Sequence, residues 1–381
     1  MRVLFSSTWG HGHVFPMIPL ARALVDAGHQ VLWATNEPAV PLVAAAGLPA
    51  VAAGLDTAGV VGVEARLVAE VADVPPAQRA AHAYPAMFGA WATPPMVADL
   101  LPLARDFRPH LMVHEQGELG SALVAAVLGV PSVTHAFGGA VPAAFVAAAG
   151  ERLADLWAEH DRPLPPYAGS YLTAYIDICP PSVQTQSLDH IPVRLPLRPV
   201  AHAAAPTRAL DEPAGDSPLV YVTLGTVRAH TGALAVAVAG LADLDVRAVV
   251  AVGPAGDPTA LGVQPPHITV ASWVDQAALL PRCAVVVSHT GSGTFLGALA
   301  NGVPQLCLPQ AADQFRNASA AERGGLGLVL APGEATALTI ADAVRRLIAD
   351  AGFRTAAAGV AAEIAMMPAP DQVVPQLELL A

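Results

Sequence analysis

The chain alternates buried strands with amphipathic helices from its first residues, and this alternation most constrains its fold. Residues 2–6 (RVLFS) form an apolar run, a loop rich in Gly and His follows, and the stretch PMIPLARALVDAGH places apolar residues at helical spacing up to Gly28. The next run, QVLWAT, is again typical of a buried strand. A strand–helix–strand unit of this kind predicts a parallel sheet with a right-handed crossover.

The same alternation returns along the rest of the chain. A strand-like run at 110–115, a helical stretch from about Glu118 to Leu128 and a run at 131–135 extend the first half. Further strand-like runs occupy residues 219–226, 245–253, 267–274, 284–294 and 303–310. We therefore predict an α/β fold of two Rossmann-like, doubly wound domains that face each other across a cleft.

Length and proline content set the expected domain boundaries. A chain of 381 residues is too long for one ordinary domain of about 100–200 residues. Prolines concentrate between about 190 and 218, which is typical of a linker. We predict a first domain over 1–200 with a helical insert at about 54–100, a linker over 201–217, a second domain over 218–365, and a C-terminal helix within 366–381 that packs back on the first domain.

Composition excludes several classes of partner. The formal net charge is −12 and the 19 basic residues are all Arg, so basic patches for nucleic acid or anionic membranes are not expected. No uninterrupted apolar run reaches the roughly 18–20 residues of a membrane span. Cys179, Cys283 and Cys307 are odd in number and lack the spacing of a zinc site. We expect a cytoplasmic protein that acts on a small molecule.

The loop after the first strand, GHGHVFP at 10–16, is the first candidate for chemistry, because α/β proteins bind ligands at this end of a parallel sheet. A dinucleotide fingerprint is weak here, since Phe15 stands at its third glycine position. A metal site would need a third ligand beside His11 and His13. A loop-capping histidine is the remaining alternative. A neutral imidazole suits proton abstraction near neutral pH, which makes His13 the candidate general base.

Glu115 ends another predicted strand of the same sheet. A carboxylate at this position can accept a hydrogen bond from the second ring nitrogen of the base, fix its tautomer and stabilise the imidazolium. The alternative is an exposed acid near a helix start, where the helix dipole favours negative charge. We take Glu115 as the candidate partner of the base.

A second candidate site follows the strand AVVV in the second half. The sequence SHTGSGT at 288–294 opens a helix with small residues, whose exposed backbone N–H groups and hydroxyls are suited to hold a phosphate. The chain has no Lys and no GxxxxGK[ST] motif, so this is not a P-loop. After the next strand, Asp313 and Gln314 are placed either to bind vicinal hydroxyls or to cap the following helix.

The segments GHGHVFPMIPLARAL and SWVDQAALLPRCAVVVSHTGSGTFLGALANGVPQLCLPQAADQFRNA resemble the inverting family 1 glycosyltransferases, especially the bacterial branch that modifies antibiotic aglycones. The resemblance covers roughly 1–50, 105–140 and 218–330. It implies the GT-B fold, an acceptor-binding first domain, and a second domain that binds a nucleotide-sugar donor. It also implies an inverting, metal-independent transfer that needs no cofactor.

The resemblance implies a role for each matching position. His13 is the general base and Glu115 its orienting partner, although family members often carry Asp there. Trp273 and Val274 would hold the nucleobase and Gln276 the ribose. The donor diphosphate would be held by small and polar residues of two strand ends, namely Gly225, Thr226, His289, Gly291, Ser292, Gly293 and Thr294. Asp313 and Gln314 would meet the sugar hydroxyls.

The substrates are expected to be a nucleotide sugar and a small apolar aglycone. Plant relatives carry a ribose-binding Glu where this chain has the apolar run 295–298, which favours a thymidine-diphosphate deoxysugar over a uridine-diphosphate sugar. Aromatic residues of the insert and beyond would line the acceptor pocket or pack in the core: Phe88, Trp91, Phe137, Phe145, Trp157, Tyr171 and Tyr175.

Two other functions fit the same architecture. A nucleotide-sugar epimerase would bind the donor without needing an acceptor pocket or a base at His13. A catalytically silent helper of a glycosyltransferase would not need to keep the donor motif that this chain has. The oligomeric state is expected to be a monomer or a homodimer.

Overall fold

A computed structural model describes residues 1–201, 212–225, 231–254 and 256–381. Most of the predicted linker therefore lies outside the described residues. The chain divides into two compact units. The first comprises Met1–Cys179, Gln186–Val200 and Met367–Ala381, and the second comprises Pro180–Thr185 and Ala201–Met366.

The first unit is built on a seven-stranded parallel sheet in the order β3-β2-β1-β4-β5-β6-β7. Its strands are Arg2–Ser7 (β1), Gln30–Thr35 (β2), Ala50–Ala52 (β3), Leu111–Glu115 (β4), Ser132–His135 (β5), Ala174–Asp177 (β6) and Arg194–Pro196 (β7). β1 and β4 are neighbours, with Ser6 in register with His114. The loops that follow these two strands therefore leave the sheet at the same edge.

Helices connect the strands of this unit: His11–Val14 (α1), Ile18–Asp26 (α2), Val40–Ala45 (α3), Thr57–Glu70 (α4), Arg79–Tyr84 (α5), Thr93–Phe107 (α6), Gly120–Leu128 (α7), Ala143–Glu151 (α8) and Ala154–Glu159 (α9). The segment 54–100, predicted as a helical insert, contains α4, α5 and the first part of α6. A π-helical segment, Pro85–Ala92, joins α5 to α6. It lies close to α8, because a Cβ atom on Gly89 would come within 2.8 Å of the Ala149 carbonyl oxygen.

The second unit has a six-stranded parallel sheet in the order β10-β9-β8-β11-β12-β13. Its strands are Leu219–Thr223 (β8), Arg247–Ala251 (β9), Ile268–Ala271 (β10), Val285–Ser288 (β11), Gln305–Cys307 (β12) and Gly327–Val329 (β13). Its helices are Thr231–Leu241 (α10), Gln276–Leu279 (α11), Ser292–Ala300 (α12), Gln314–Arg323 (α13), Ala337–Ala349 (α14) and Ala351–Met366 (α15).

Both faces of the second sheet are buried, as is typical of parallel sheets. Val220 and Val222 belong to one apolar cluster. Leu219 and Tyr221, the alternating residues of the same strand, belong to another. The predicted fold class, two Rossmann-like α/β domains, is confirmed by these two sheets.

The chain ends in a helix of the first unit, Pro370–Glu378 (α16), which packs against α2. Val373 and Leu377 are buried. His29 Nε2 lies 2.9 Å from a carboxylate oxygen of Glu378. No helix in the described ranges is both long and apolar enough to cross a membrane.

The close approach at Gly89 predicts a steric limit. In Gly89→Ala the added methyl group would also lie 3.1 Å from the Ala149 Cα. We expect the free energy of unfolding to fall by about 1–3 kcal/mol, measured by urea denaturation, because backbone must move to make room. Gly62→Ala on α4 is the matched control, since its Cβ would meet no atom within 4 Å. Equal stabilities of the two variants would contradict the close packing of the π-helical segment against Ala149.

Candidate active site

His13 lies in the first helical turn after β1. Gly10 allows the chain to turn there with φ of 97°, a conformation that other residues adopt only with strain. Its carbonyl oxygen then accepts hydrogen bonds from the N–H groups of His13, at 3.1 Å, and Val14, at 3.2 Å. The His13 side chain is 23% exposed, so its ring can be reached from outside the unit.

Glu115 is fully buried at the end of β4, where its carboxylate meets the His13 ring. Glu115 Oε1 lies 3.1 Å from His13 Nδ1. The same oxygen accepts hydrogen bonds from the hydroxyl of Thr8, at 2.7 Å, and from its N–H, at 3.2 Å. The N–H of Gly117 donates to the second oxygen. The structure therefore brings together the two residues proposed as base and partner, although they are far apart in sequence.

The surroundings of Glu115 keep it ionised. Burial alone would raise the pKa of Glu115, but the positive charge and hydrogen bond of His13 lower it, as do the hydrogen bonds from Gly117 and Thr8. The pKa of this carboxyl group is therefore below its ordinary value of 4.5. An ionised carboxylate accepts hydrogen bonds only, which places the ring proton of neutral His13 on Nδ1.

Aromatic rings flank His13 on two sides. The ring centroid of Phe88 lies 5.5 Å from that of His13, and the Phe137 centroid lies 5.0 Å away. Phe88 belongs to the π-helical segment, and Phe137 follows β5. Gly117 gives Phe88 room, because a Cβ on Gly117 would come within 2.9 Å of its ring. Two of the aromatic residues predicted to meet the acceptor thus lie beside the candidate base.

The other aromatic candidates are placed differently. Trp91 packs beneath the guanidinium of Arg66, whose Cζ atom lies 4.3 Å from the ring centroid. Phe145 is half-buried on α8. The remaining three, Trp157, Tyr171 and Tyr175, are at most 5% exposed. Packing in the core, the alternative stated for these three residues, is what the structure shows.

Gln116 holds the loop that carries Phe137, and its role was not evident from the sequence. Its side-chain oxygen accepts hydrogen bonds from the Tyr175 hydroxyl, at 3.1 Å, and from the N–H of Val141, at 3.2 Å. Its backbone carbonyl oxygen accepts a hydrogen bond from the hydroxyl of Tyr84. The polar residue directly after Glu115 therefore fixes both sides of the aromatic surroundings of His13.

The second unit supplies the predicted anion site at the start of α12. The helix begins at Ser292, directly after a turn in which Thr290 has φ of 61°. The N–H of Thr290 donates to the Ser288 hydroxyl, at 3.0 Å. Gly291 directly precedes α12. As in any α-helix, the N–H groups of the first turn have no carbonyl partner within the helix and point out of its N-terminal end. This is the arrangement in which helix N-termini bind phosphate groups.

Two glycines make room for the His289 ring. A Cβ on Gly225, which follows β8 and has φ of 91°, would come within 2.7 Å of His289 Nε2. A Cβ on Gly291 would come within 2.6 Å of the same atom. Any other residue at either position would push the ring away. Thr226, the predicted neighbour of Gly225 in this site, lies outside the described residues.

Asp313 and Gln314 lie beside the same turn. Asp313 Oδ2 accepts a hydrogen bond from the Ser292 hydroxyl at 2.5 Å. The side-chain oxygen of Gln314 accepts from the backbone N–H groups of Gln310, at 2.7 Å, and Ala311, at 2.9 Å. The side-chain nitrogen of Asn317 donates to Asp313, Ser292 and the Thr290 carbonyl at 2.9–3.2 Å. No sequence motif had singled out Asn317.

The predicted nucleoside-binding stretch lies between β10 and α11. Trp273 is half-buried, whereas the side chain of Val274 packs in an apolar cluster, so only its backbone is available to a ligand. The side-chain nitrogen of Gln276 lies 3.1 Å from the Tyr221 hydroxyl and 3.4 Å from the Thr294 hydroxyl. Gln276 thereby connects this stretch to the anion site.

Comparison with known proteins identifies the family. Models described as erythromycin biosynthesis protein CIII-like, N-terminal and C-terminal domains, match residues 22–196 and 235–380. The elloramycin glycosyltransferase ElmGT of Streptomyces olivaceus is 35% identical over an alignment of 413 positions, gaps included, which covers 99% of this chain and 97% of that one. The chain belongs to the erythromycin biosynthesis protein CIII-like glycosyltransferases.

Solved glycosyltransferase structures share the fold along the whole chain. SnogD from Streptomyces nogalater matches with a TM-score of 0.79 and 30% identity, covering 100% of both chains. The spinosyn rhamnosyltransferase SpnG, solved with thymidine diphosphate and with spinosyn aglycone, matches with a TM-score of 0.83 and 26% identity, covering 99% of this chain and 100% of that one. Glycosyl transfer is therefore the activity of this family and of this chain.

The buried carboxylate predicts a pH effect on stability. Because the pKa of folded Glu115 lies below 4.5, its ionised form stabilises the folded chain above that pH, and this contribution is lost as the pH falls through the folded-state value. We expect the free energy of unfolding of Glu115→Gln to fall less than that of the wild type between about pH 6 and about pH 3.5.

Urea denaturation at a series of pH values measures this difference. Glu70→Gln, at an exposed position of α4, is the control and should keep the pH dependence of the wild type. An unchanged pH dependence in Glu115→Gln would contradict the assignment of an ionised, hydrogen-bonded carboxylate.

Proposed function

We propose that this glycosyltransferase moves a deoxysugar from a thymidine-diphosphate donor to a hydroxyl group of an apolar natural-product aglycone, with inversion at the anomeric carbon. The observation that supports it most is the 3.1 Å distance between His13 Nδ1 and Glu115 Oε1. SpnG, a rhamnosyltransferase crystallised with thymidine diphosphate and with an aglycone, supports the two substrate classes. Uridine diphosphate is the alternative nucleotide.

His13 is the proposed general base. With the ring proton on Nδ1 directed at Glu115, Nε2 is the basic nitrogen that takes the proton of the acceptor hydroxyl. The positive charge that then forms on the ring is stabilised by the ionised carboxylate at 3.1 Å. Hydrogen bonds from Thr8 and Gly117 also fix the position of Glu115.

Phe88 and Phe137 are the proposed acceptor contacts. Their rings lie against His13 at centroid distances of 5.5 Å and 5.0 Å. Flat apolar surfaces beside a base favour an apolar acceptor whose hydroxyl is turned towards the imidazole. Trp91 and Phe145 remain proposed contributors to a larger acceptor surface.

The donor diphosphate is proposed to bind at the start of α12. As the acceptor oxygen attacks the anomeric carbon, the bond from that carbon to the diphosphate oxygen breaks, and the electron pair leaves with the nucleoside diphosphate. Backbone N–H groups of Ser292, Gly293 and Thr294, with His289, would stabilise the leaving charge, which is the role that a metal ion has in other enzymes. No three His, Cys, Asp or Glu side chains are grouped to hold a metal in the described ranges.

A thymidine donor is supported by the helix that follows. Phe295, Leu296 and Ala298 are at most 4% exposed and pack in the interior. They therefore offer no polar group that could bind a ribose 2′-hydroxyl. Thymidine diphosphate has no 2′-hydroxyl and does not need such a group. Trp273 and the backbone of Val274 are the proposed contacts of the base. Asp313 and Gln314 are the proposed contacts of the sugar.

Turnover of a panel of thymidine- and uridine-diphosphate sugars with a phenolic acceptor tests the proposal. We expect a glycoside with inverted anomeric configuration, seen by NMR. We expect kcat/KM of His13→Ala to fall about 10²–10⁴-fold because the base is lost. His82→Ala, at an exposed position of α5, is the matched control.

Three results would contradict the proposal. Transfer by His13→Ala at the wild-type rate would exclude the base. Conversion of the donor sugar to its epimer without any acceptor would indicate an epimerase. Failure of the wild type to bind either nucleoside diphosphate would indicate a non-catalytic helper protein.

A further inference from the structure

Two hydroxyl groups stand at the start of α12, on Ser292 and Thr294, and family resemblance assigns both to the donor diphosphate. A hydroxyl group has one proton to donate and two lone pairs with which to accept. A phosphate oxygen only accepts, so a hydroxyl that binds it must have its proton available. The hydrogen bonds of the two side chains therefore decide which of them is suited to a phosphate.

The Ser292 proton is already directed elsewhere. Its hydroxyl donates to Asp313 Oδ2 at 2.5 Å. It also receives a hydrogen bond from the side-chain nitrogen of Asn317 at 3.2 Å. Ser292 and Thr294 are equally exposed, at 8%, so their hydrogen bonds and not their exposure distinguish them. If the Ser292 hydroxyl turned to bind a phosphate, the Asp313 carboxylate would lose its nearest hydrogen-bond donor. It would lose this donor just as the negatively charged diphosphate binds beside it.

Thr294 has the opposite arrangement. The side-chain nitrogen of Gln276 donates to its oxygen at 3.4 Å, and Gln276 is itself held by the buried Tyr221 hydroxyl at 3.1 Å. Within the described ranges no acceptor takes the Thr294 hydroxyl proton. Thr294 is therefore suited to donate to a phosphate oxygen, whereas Ser292 offers a phosphate only its backbone N–H.

The Ser292 and Asn317 contacts also fix the orientation of Asp313. Both bind the same carboxylate oxygen, Oδ2. In the described part of the chain Oδ1 accepts no side-chain or backbone hydrogen bond, and the side-chain nitrogen of Gln314 donates none. One acceptor and one donor on adjacent residues form a pair that matches neighbouring hydroxyl groups of a sugar.

We propose that Ser292 is a positioning residue for the donor sugar, which acts with Asn317 through Asp313, and that Thr294 alone supplies a side-chain hydroxyl to the diphosphate. This inference rests on the proposed donor. Two residues of one helical turn thereby have different roles. Thr294 contributes to the affinity for the nucleoside diphosphate, and Ser292 contributes to the additional affinity for the sugar.

Calorimetric titration with thymidine diphosphate is the first test. Ser292→Ala and Thr294→Val each remove one hydroxyl at nearly constant volume. We expect Kd of Thr294→Val for thymidine diphosphate to rise about tenfold, as loss of a charge-assisted hydrogen bond implies. We expect Kd of Ser292→Ala to stay within about twofold of the wild type. Equal losses in the two variants would overturn the inference.

The second test uses the thymidine-diphosphate sugar with the highest kcat/KM in the donor panel. We expect Ser292→Ala to bind this sugar nucleotide about tenfold more weakly while binding thymidine diphosphate normally, because Asp313 loses its anchor. In an Asp313→Ala background the sugar contribution is already gone, so Ser292→Ala should add no further loss. Additive losses would show that Ser292 does not act through Asp313.

These results separate the inference from the proposed function. A wild type that fails to bind thymidine diphosphate contradicts the proposed donor. A wild type that binds it, together with a Ser292→Ala variant that loses this affinity, contradicts the positioning role alone. Retained affinity for thymidine diphosphate in Ser292→Ala also shows that the second unit is folded.

Discussion

The buried carboxylate of Glu115 is the constraint on which the candidate acceptor site depends. Removing an ion from water is costly unless hydrogen bonds replace its hydration. Here Thr8 donates from its hydroxyl and N–H, Gly117 from its N–H, and His13 from its ring. The parallel pairing of β1 with β4 brings these donors to one edge of the sheet. The fold of the first unit and the orientation of the base are thus set by the same set of contacts.

The donor site follows a different physical principle. It uses backbone N–H groups at a helix start, and its glycines serve to admit the His289 ring at Gly225 and Gly291. Side chains around the turn are held mostly by one another, with Asn317 joining the turn to α13. A site of this kind needs no Lys, which the chain lacks entirely. Fixed dipoles in place of flexible cations also leave little to rearrange when charge develops on the leaving group.

Sequence patterns located the main elements of both sites because functional residues of parallel α/β sheets lie where strands end. His13, Glu115 and the run from His289 to Thr294 all have this position, and their strands are marked by apolar runs. Short strands with weaker patterns, β3, β6, β7 and β13, were not predicted.

Other features depend on contacts between distant segments. Asn317 has its role only because α13 lies against the turn at Thr290, and Trp157 and Tyr175 resemble pocket residues until their burial is known. The different hydrogen bonds of Ser292 and Thr294 could not be predicted from their residue types either. Residue type predicts what a side chain can donate, and packing determines to which group it donates.

The position of the ring proton of His13 tests most directly whether Glu115 orients this residue as the base. It is given by the ¹⁵N chemical shifts of the two ring nitrogens of the labelled protein near neutral pH, with His13 assigned by its absence from the spectrum of His13→Ala. We expect the neutral ring to carry its proton on Nδ1, towards Glu115, and to leave Nε2 unprotonated. A proton on Nε2 would contradict both the hydrogen bond to Glu115 and the role of His13 as the base.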